Sequence, residues 1–84
     1  MRRVAVIGNA GGGKSTLSKR IAADLGAPYR AVDMILWLPG WTLNEDFEAR
    51  HDAWLAEPNW VIDGVGPWAS VERRFQYADT VLWI

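Results

Sequence analysis

Residues 8–16 read GNAGGGKST. Gly8, Gly11, Gly12 and Gly13 crowd into six positions, and Lys14, Ser15 and Thr16 follow at once. Glycine loses more backbone freedom on folding than any other residue, so four together call for a compensating interaction. The spacing supplies one. Gly8, four residues, then Gly13-Lys14-Ser15 completes G-x-x-x-x-G-K-[ST], the loop pattern that cradles phosphates. The glycines let the main chain approach a ligand closely, and successive N–H groups turn toward one point. A helix that follows adds unpaired N–H groups and the positive end of its dipole. On this reading Gly8, Asn9, Ala10, Gly11, Gly12, Gly13, Lys14, Ser15 and Thr16 bind a nucleotide. Lys14 reaches the β- and γ-phosphate oxygens, the Ser15 hydroxyl takes one position on Mg²⁺, and Thr16 bonds the α-phosphate. The plainer alternative is a glycine-rich turn that merely joins a strand to a helix.

The flanking sequence favours the first reading. Upstream, RVAVIG at 3–8 is a continuous apolar run, suited to a strand buried on both faces of a parallel sheet. Downstream, Leu17, Ile21 and Leu25 recur every four residues and predict a helix from Lys14, capped by Gly26 and stopped by Pro28. YRAV at 29–32 reads as a second strand ending at Asp33, and Pro39-Gly40 as a turn. Thr42 and Glu45 have capping-box spacing, and Leu43, Phe47, His51, Trp54 and Leu55 continue at helical spacing to Pro58. WVID at 60–63 is a third strand, Trp68, Val71 and Phe75 predict a short helix, and DTVLWI at 79–84 is a fourth strand. Strand and helix alternate throughout, which predicts an α/β fold: a P-loop core with a parallel sheet of about four strands and flanking helices, in one domain over residues 1–84.

Composition narrows the partners. A net charge of −1, with no basic run longer than two, argues against a nucleic-acid surface. The absence of cysteine removes disulfides and thiolate chemistry. The apolar run Val4 to Ile7 is too short for a signal peptide, and nothing approaches a membrane span, so a cytoplasmic setting is expected. The six tryptophans are read as core and core-edge packing, with the alternative that one or two line a ligand pocket.

Two carboxylates end predicted strands, the edge where ligands bind in open α/β sheets. Asp63, closing WVID, stands where a Walker B aspartate holds Mg²⁺ directly or through water. Its alternative is a turn with Gly64. Asp33 either accepts a proton from an acceptor hydroxyl, orients the acceptor, helps the metal site, or caps a turn. Arg73 and Arg74 are either contacts to the acceptor or γ-phosphate, or solvated residues on an exposed face. His51 is expected to be partly buried beside Trp54.

These segments together carry a resemblance. RVAVIGNAGGGKSTLSKRIAADLGAP, VDMILWLPGW, WVIDGV and ADTVLWI are similar to the adenylate-kinase-like P-loop proteins, within them to the group labelled DNA topology modulation kinase or FlaR-like. The combination of Asp33, Trp37, PGW at 39–41 and IDG at 62–64 carries it more than the generic glycine loop. The resemblance implies transfer of the γ-phosphoryl group of ATP, held with Mg²⁺, to a small acceptor. It implies a magnesium role for Asp63 and an acceptor-side role for Asp33, with Lys14 and Asp33 as the catalytic pair. This chain has Val65-Gly66-Pro67 where the group has Asn-Tyr. The resemblance covers the N-terminal half of the family pattern, which continues into a lid with arginines. The chain is therefore expected to be an N-terminal portion, whose last strand, TVLWI, invites self-association. The alternative function is a nucleotide-binding module, or an inactive piece, without transfer.

Overall fold

The structure, a computed structural model, describes residues 1–8 and 13–84. Its elements are β1 (Arg3–Ile7), α1 (Lys14–Leu25), β2 (Tyr29–Ala31), α2 (Asp33–Leu36), β3 (Trp37–Leu38), β4 (Thr42–Leu43), α3 (Phe47–Leu55), β5 (Trp60–Asp63), α4 (Trp68–Tyr77) and β6 (Thr80–Trp83). Four strands form a parallel sheet in the order β2-β5-β1-β6, flanked by helices, as expected of an α/β fold. The short β3 and β4 pair antiparallel as a separate hairpin.

The two central strands are buried on both faces, which is why they read as unbroken apolar runs. Alternate side chains feed different cores. Val4, Val6 and Val61 pack with Ala22 of α1. Ala5, Trp60 and Ile62 pack on the other face with Val32, Ile35, Leu36, Phe47 and Leu55. From β1 the chain crosses by α1 over β5 to β2, and from β5 it crosses by α4 over β1 to β6. Crossovers of one hand running in opposite directions place their helices on opposite faces. The crevice between the C-terminal ends of β1 and β5 is therefore the switch point where open α/β sheets bind ligands. Register puts Asp63 level with Val6 and Ala31, at that edge.

Three local expectations are corrected. The buried residues of α1 are Ser18 and Ala22, while Leu17 is exposed. Small side chains let the helix lie close to the sheet, and the Ser18 hydroxyl meets its hydrogen-bonding need by donating to the Lys14 carbonyl at 2.7 Å. Thr42 does not cap α3, because Thr42 and Leu43 are paired with Leu38 and Trp37 across the Pro39-Gly40 turn. The N-cap of α3 is Asp46, without a side-chain cap bond, and Asn44 orders the turn before it: its Oδ1 accepts from the Asp46 N–H at 3.0 Å and its Nδ2 donates to the Ile35 carbonyl at 2.9 Å. On α4 the buried residues are Ser70, Val71 and Arg74, whereas Trp68 and Phe75 are exposed. No helix among the described residues is long and apolar enough to cross a membrane.

Candidate functional site

Asn9, Ala10, Gly11 and Gly12 lie outside the described residues. What is described begins at Gly13, the N-cap of α1, with φ of 89°. That left-handed backbone is open to glycine and strained for other residues, and it lets the chain turn from the loop directly into the helix. The Gly13 carbonyl accepts the first helical bond, from the Leu17 N–H at 2.9 Å. Lys14 then falls in the first turn, facing the end of β5.

The Lys14 ammonium meets Asp63 Oδ1 at 2.5 Å, with both side chains largely buried. The other carboxylate oxygen, Oδ2, accepts from the Tyr29 hydroxyl at 2.9 Å. Tyr29 also lies 3.2 Å from the Ser15 hydroxyl. Burial, and after it the hydrogen bond and charge of Asp63, raises the Tyr29 phenol above its ordinary value against the lowering contribution of Ser15, so the phenol keeps its proton at neutral pH. Gly13, Lys14, Ser15 and Thr16 share a cavity of about 270 Å³ with Tyr29, Ala31, Asp33, Asp63 and Gly64. Chain positions 13–16, 29–33 and 63–64 thus meet at one sheet edge, and Lys14, Ser15, Thr16, Asp33 and Asp63 all line it. The chemistry on offer is one ammonium, two hydroxyls, a phenol and two carboxylates around a space open to solvent. Among the described residues no group of three or more His, Cys, Asp or Glu side chains is arranged to hold a metal ion.

Gly8 stands apart from this cavity. A Cβ placed there would lie 2.0 Å from the Ile84 carbonyl oxygen, so close approach of backbone to backbone calls for glycine at this position. Gly8 lines a second, apolar cavity of about 230 Å³ with Val65, Trp68, Phe75 and Trp83. Two tryptophans do line a cavity, then, but it is not the one holding Lys14.

Neither arginine named from the sequence joins Lys14 and Asp63. Arg73 is half-exposed and bonds Asp52 Oδ1 at 2.9 Å. Arg74 is fully buried and spends its donors inside the protein: Nε on His51 Nε2 at 3.1 Å, NH1 on the Gly64 carbonyl at 2.7 Å and NH2 on the Val65 carbonyl at 3.1 Å. Arg74 is thus neither solvated nor among the residues that line the Lys14 cavity. Its reach to Gly64 and Val65 instead fixes the backbone immediately after Asp63.

His51 is equally buried and stacks on Phe47 with ring centroids 5.5 Å apart. Because a guanidinium only donates, Nε2 is the acceptor and the ring is neutral. Burial first, and then the Arg74 charge, lowers His51 to about 4. In the unfolded chain an imidazole titrates near 6.5. A base depressed by folding stabilises fully above the unfolded value, and that contribution is lost as pH falls from about 6.5 toward 4, because the unfolded chain takes up the proton first. The expected loss is on the order of 2–3 kcal/mol by pH 4. Urea midpoints at pH 7 and pH 4.5 check it, with His51→Gln as control: the variant should show a flatter profile over that interval.

Two contributors escape a reading of the sequence alone. Tyr29 reaches Asp63 only because β2 lies beside β5, and nothing in YRAV announces that neighbour. The Arg74–His51 pair has a faint mark, since Val71 and Arg74 share one helix face at a spacing of three.

No family model, no curated protein and no solved structure matches the chain.

Proposed function

We propose that the chain binds a nucleoside triphosphate as its Mg²⁺ complex, with the phosphates in the Lys14 cavity, and transfers the γ-phosphoryl group of ATP to a small acceptor. The observation that carries this reading is the Lys14–Asp63 pair at 2.5 Å, joining a helix start to a strand end at the switch point. The helix start belongs to a complete G-x-x-x-x-G-K-[ST] stretch. A phosphate bound in the cavity would offer Lys14 a second anion and would leave Asp63 Oδ1 available to Mg²⁺. Ser15 and Asp63 are the residues that would hold Mg²⁺. One hydroxyl and one carboxylate suit this ion, which keeps several waters and shares its sites with substrate phosphates rather than needing an all-protein cage. Bound there, Mg²⁺ would neutralise charge on the β- and γ-oxygens. Asp33, on the same wall, faces the acceptor and orients it or takes its proton. Catalysis on this reading is positioning plus charge stabilisation.

A second reading, nucleotide binding without transfer, is favoured by one observation. Among the described residues Lys14 is the only cation lining the cavity. A phosphoryl transition state spreads charge over three equatorial oxygens and ordinarily draws on further cations.

Calorimetric titration with MgATP tests binding, and ADP release with a panel of small hydroxyl and phosphate acceptors separates transfer from binding alone. Asp63→Asn is expected to weaken binding by about tenfold or more in Mg²⁺, the loss of a charge-assisted interaction, and by much less in its absence. Equal losses with and without the ion would remove Asp63 from the metal site.

A further inference from the structure

The contacts of Tyr29 impose a direction on the hydrogens around it. Ionised Asp63 can only accept, so in the 2.9 Å contact the Tyr29 hydroxyl is the donor. A phenol has one proton, and that donation uses it. In the 3.2 Å contact between Ser15 Oγ and Tyr29, the serine must therefore be the donor and the phenol oxygen the acceptor. Protons run Ser15 to Tyr29 to Asp63. The ends of this chain are the hydroxyl and the carboxylate assigned to Mg²⁺ above.

A hydroxyl that ligates a cation presents its lone pairs to the ion and sends its proton elsewhere. Tyr29 offers Ser15 that elsewhere. It also holds Asp63 Oδ2, which leaves Oδ1, now on Lys14, as the oxygen released when Lys14 turns to a phosphate. The phenol is itself anchored: Tyr29 opens β2 in register with Val61, and the Lys19 ammonium lies 5.6 Å from its ring centroid. We infer that Tyr29 is a positioning residue of the cation site, orienting the Ser15 hydroxyl and the Asp63 carboxylate together while touching neither metal nor nucleotide. This rests on the Mg²⁺–nucleotide reading of the same cavity.

Tyr29→Phe removes one oxygen and keeps the ring. The expected result is that the Mg²⁺ concentration giving half-maximal enhancement of ATP binding rises roughly tenfold, the size seen when groups behind a metal ligand are lost. ATP binding without metal should change much less than that, and the thermal midpoint should fall modestly, because Asp63 Oδ2 loses the phenol that donates to it. In a Ser15→Ala background the same substitution should have a smaller effect, since one end of the proton chain is already gone. An unchanged or lower Mg²⁺ requirement in Tyr29→Phe, or full additivity with Ser15→Ala, overturns the inference while leaving the nucleotide reading in place. Mn²⁺ alone, followed by its paramagnetic resonance signal, separates the two. If the wild type binds no ATP, weaker Mn²⁺ binding in Tyr29→Phe supports the positioning role and retires the nucleotide reading. Equal Mn²⁺ binding by both chains, or none by the wild type, then overturns both.

Discussion

Arg74→Ala should cost about 3–5 kcal/mol, the sum of three buried acceptors left without a donor and a cavity left unfilled, less the relief of removing a buried charge. For a chain of 84 residues the whole folding stability is about 4–13 kcal/mol, so this single change should leave the protein partly or wholly unfolded at room temperature. The expected size follows from what is left behind. Burial lowers Arg74 to about 10, so it remains a cation at neutral pH, yet among the described residues no carboxylate bonds it. Its three acceptors are the Gly64 and Val65 carbonyls and His51. Truncation strands all three and opens a cavity among α3, α4 and the segment after β5. Arg74→Met separates these causes, because it fills much of the volume and donates nothing. It should still cost at least about 2 kcal/mol, from acceptors left without donors. A methionine variant as stable as the wild type would mean that apolar packing replaces the guanidinium here, as happens at some buried ion clusters. Arg73→Ala, next along the chain, should change stability by less than about 1 kcal/mol, because its pair with Asp52 is solvated.

Lys14→Ala should act twice. It leaves a nearly buried Asp63 carboxylate with one remaining side-chain donor among the described residues, Tyr29, and should destabilise the fold by about 2–3 kcal/mol, somewhat below the value for a fully buried pair because the cavity admits water. Adding Asp63→Asn removes the stranded charge, so the double variant should be more stable than Lys14→Ala alone. Strict additivity in urea denaturation would deny the pair any coupling. The second effect is on affinity for MgATP, expected to fall by about 1.5–3 kcal/mol, or roughly ten- to a hundredfold, for a lost charge-assisted bond. Because Asp63→Asn has its own effect on MgATP, the Lys14 contribution to affinity is read by comparing the double variant with Asp63→Asn alone. MgATP bound equally well with and without Lys14 would end the phosphate assignment.

What could be seen in advance follows the strength of each local pattern. β1 and β5 were plain because strands covered on both faces leave unbroken apolar runs, and α1 was plain because Gly13 and Gly26 bracket it. The phase of α1 was not. Leu17 is apolar and in period, but the tether of Lys14 to Asp63 and the small Ser18 and Ala22 decide which side meets the sheet. The β3–β4 hairpin has two residues per strand, too few to show any period. At the site, Lys14, Ser15, Asp33 and Asp63 could be named because their residue types sit at element ends. Tyr29 needed the strand order, a long-range property. Arg73 and Arg74 are alike in composition, and only the rotation of α4 decides that one is solvated and the other enclosed.

The placement of the tryptophans determines which spectroscopy can follow this molecule. Trp83, Trp41 and Trp68 are 80%, 79% and 67% exposed, and Trp60 alone is fully enclosed, its indole N–H directed at the Leu55 carbonyl. Native emission should already resemble that of indole in water and be readily quenched by iodide. Denaturation would then shift the spectrum mainly through the share contributed by Trp60. No indole borders the Lys14 cavity among the described residues, so a phosphate arriving there should be nearly silent in fluorescence. An optically quiet titration of this protein is therefore no sign of an empty site, and heat or circular dichroism is the signal to record.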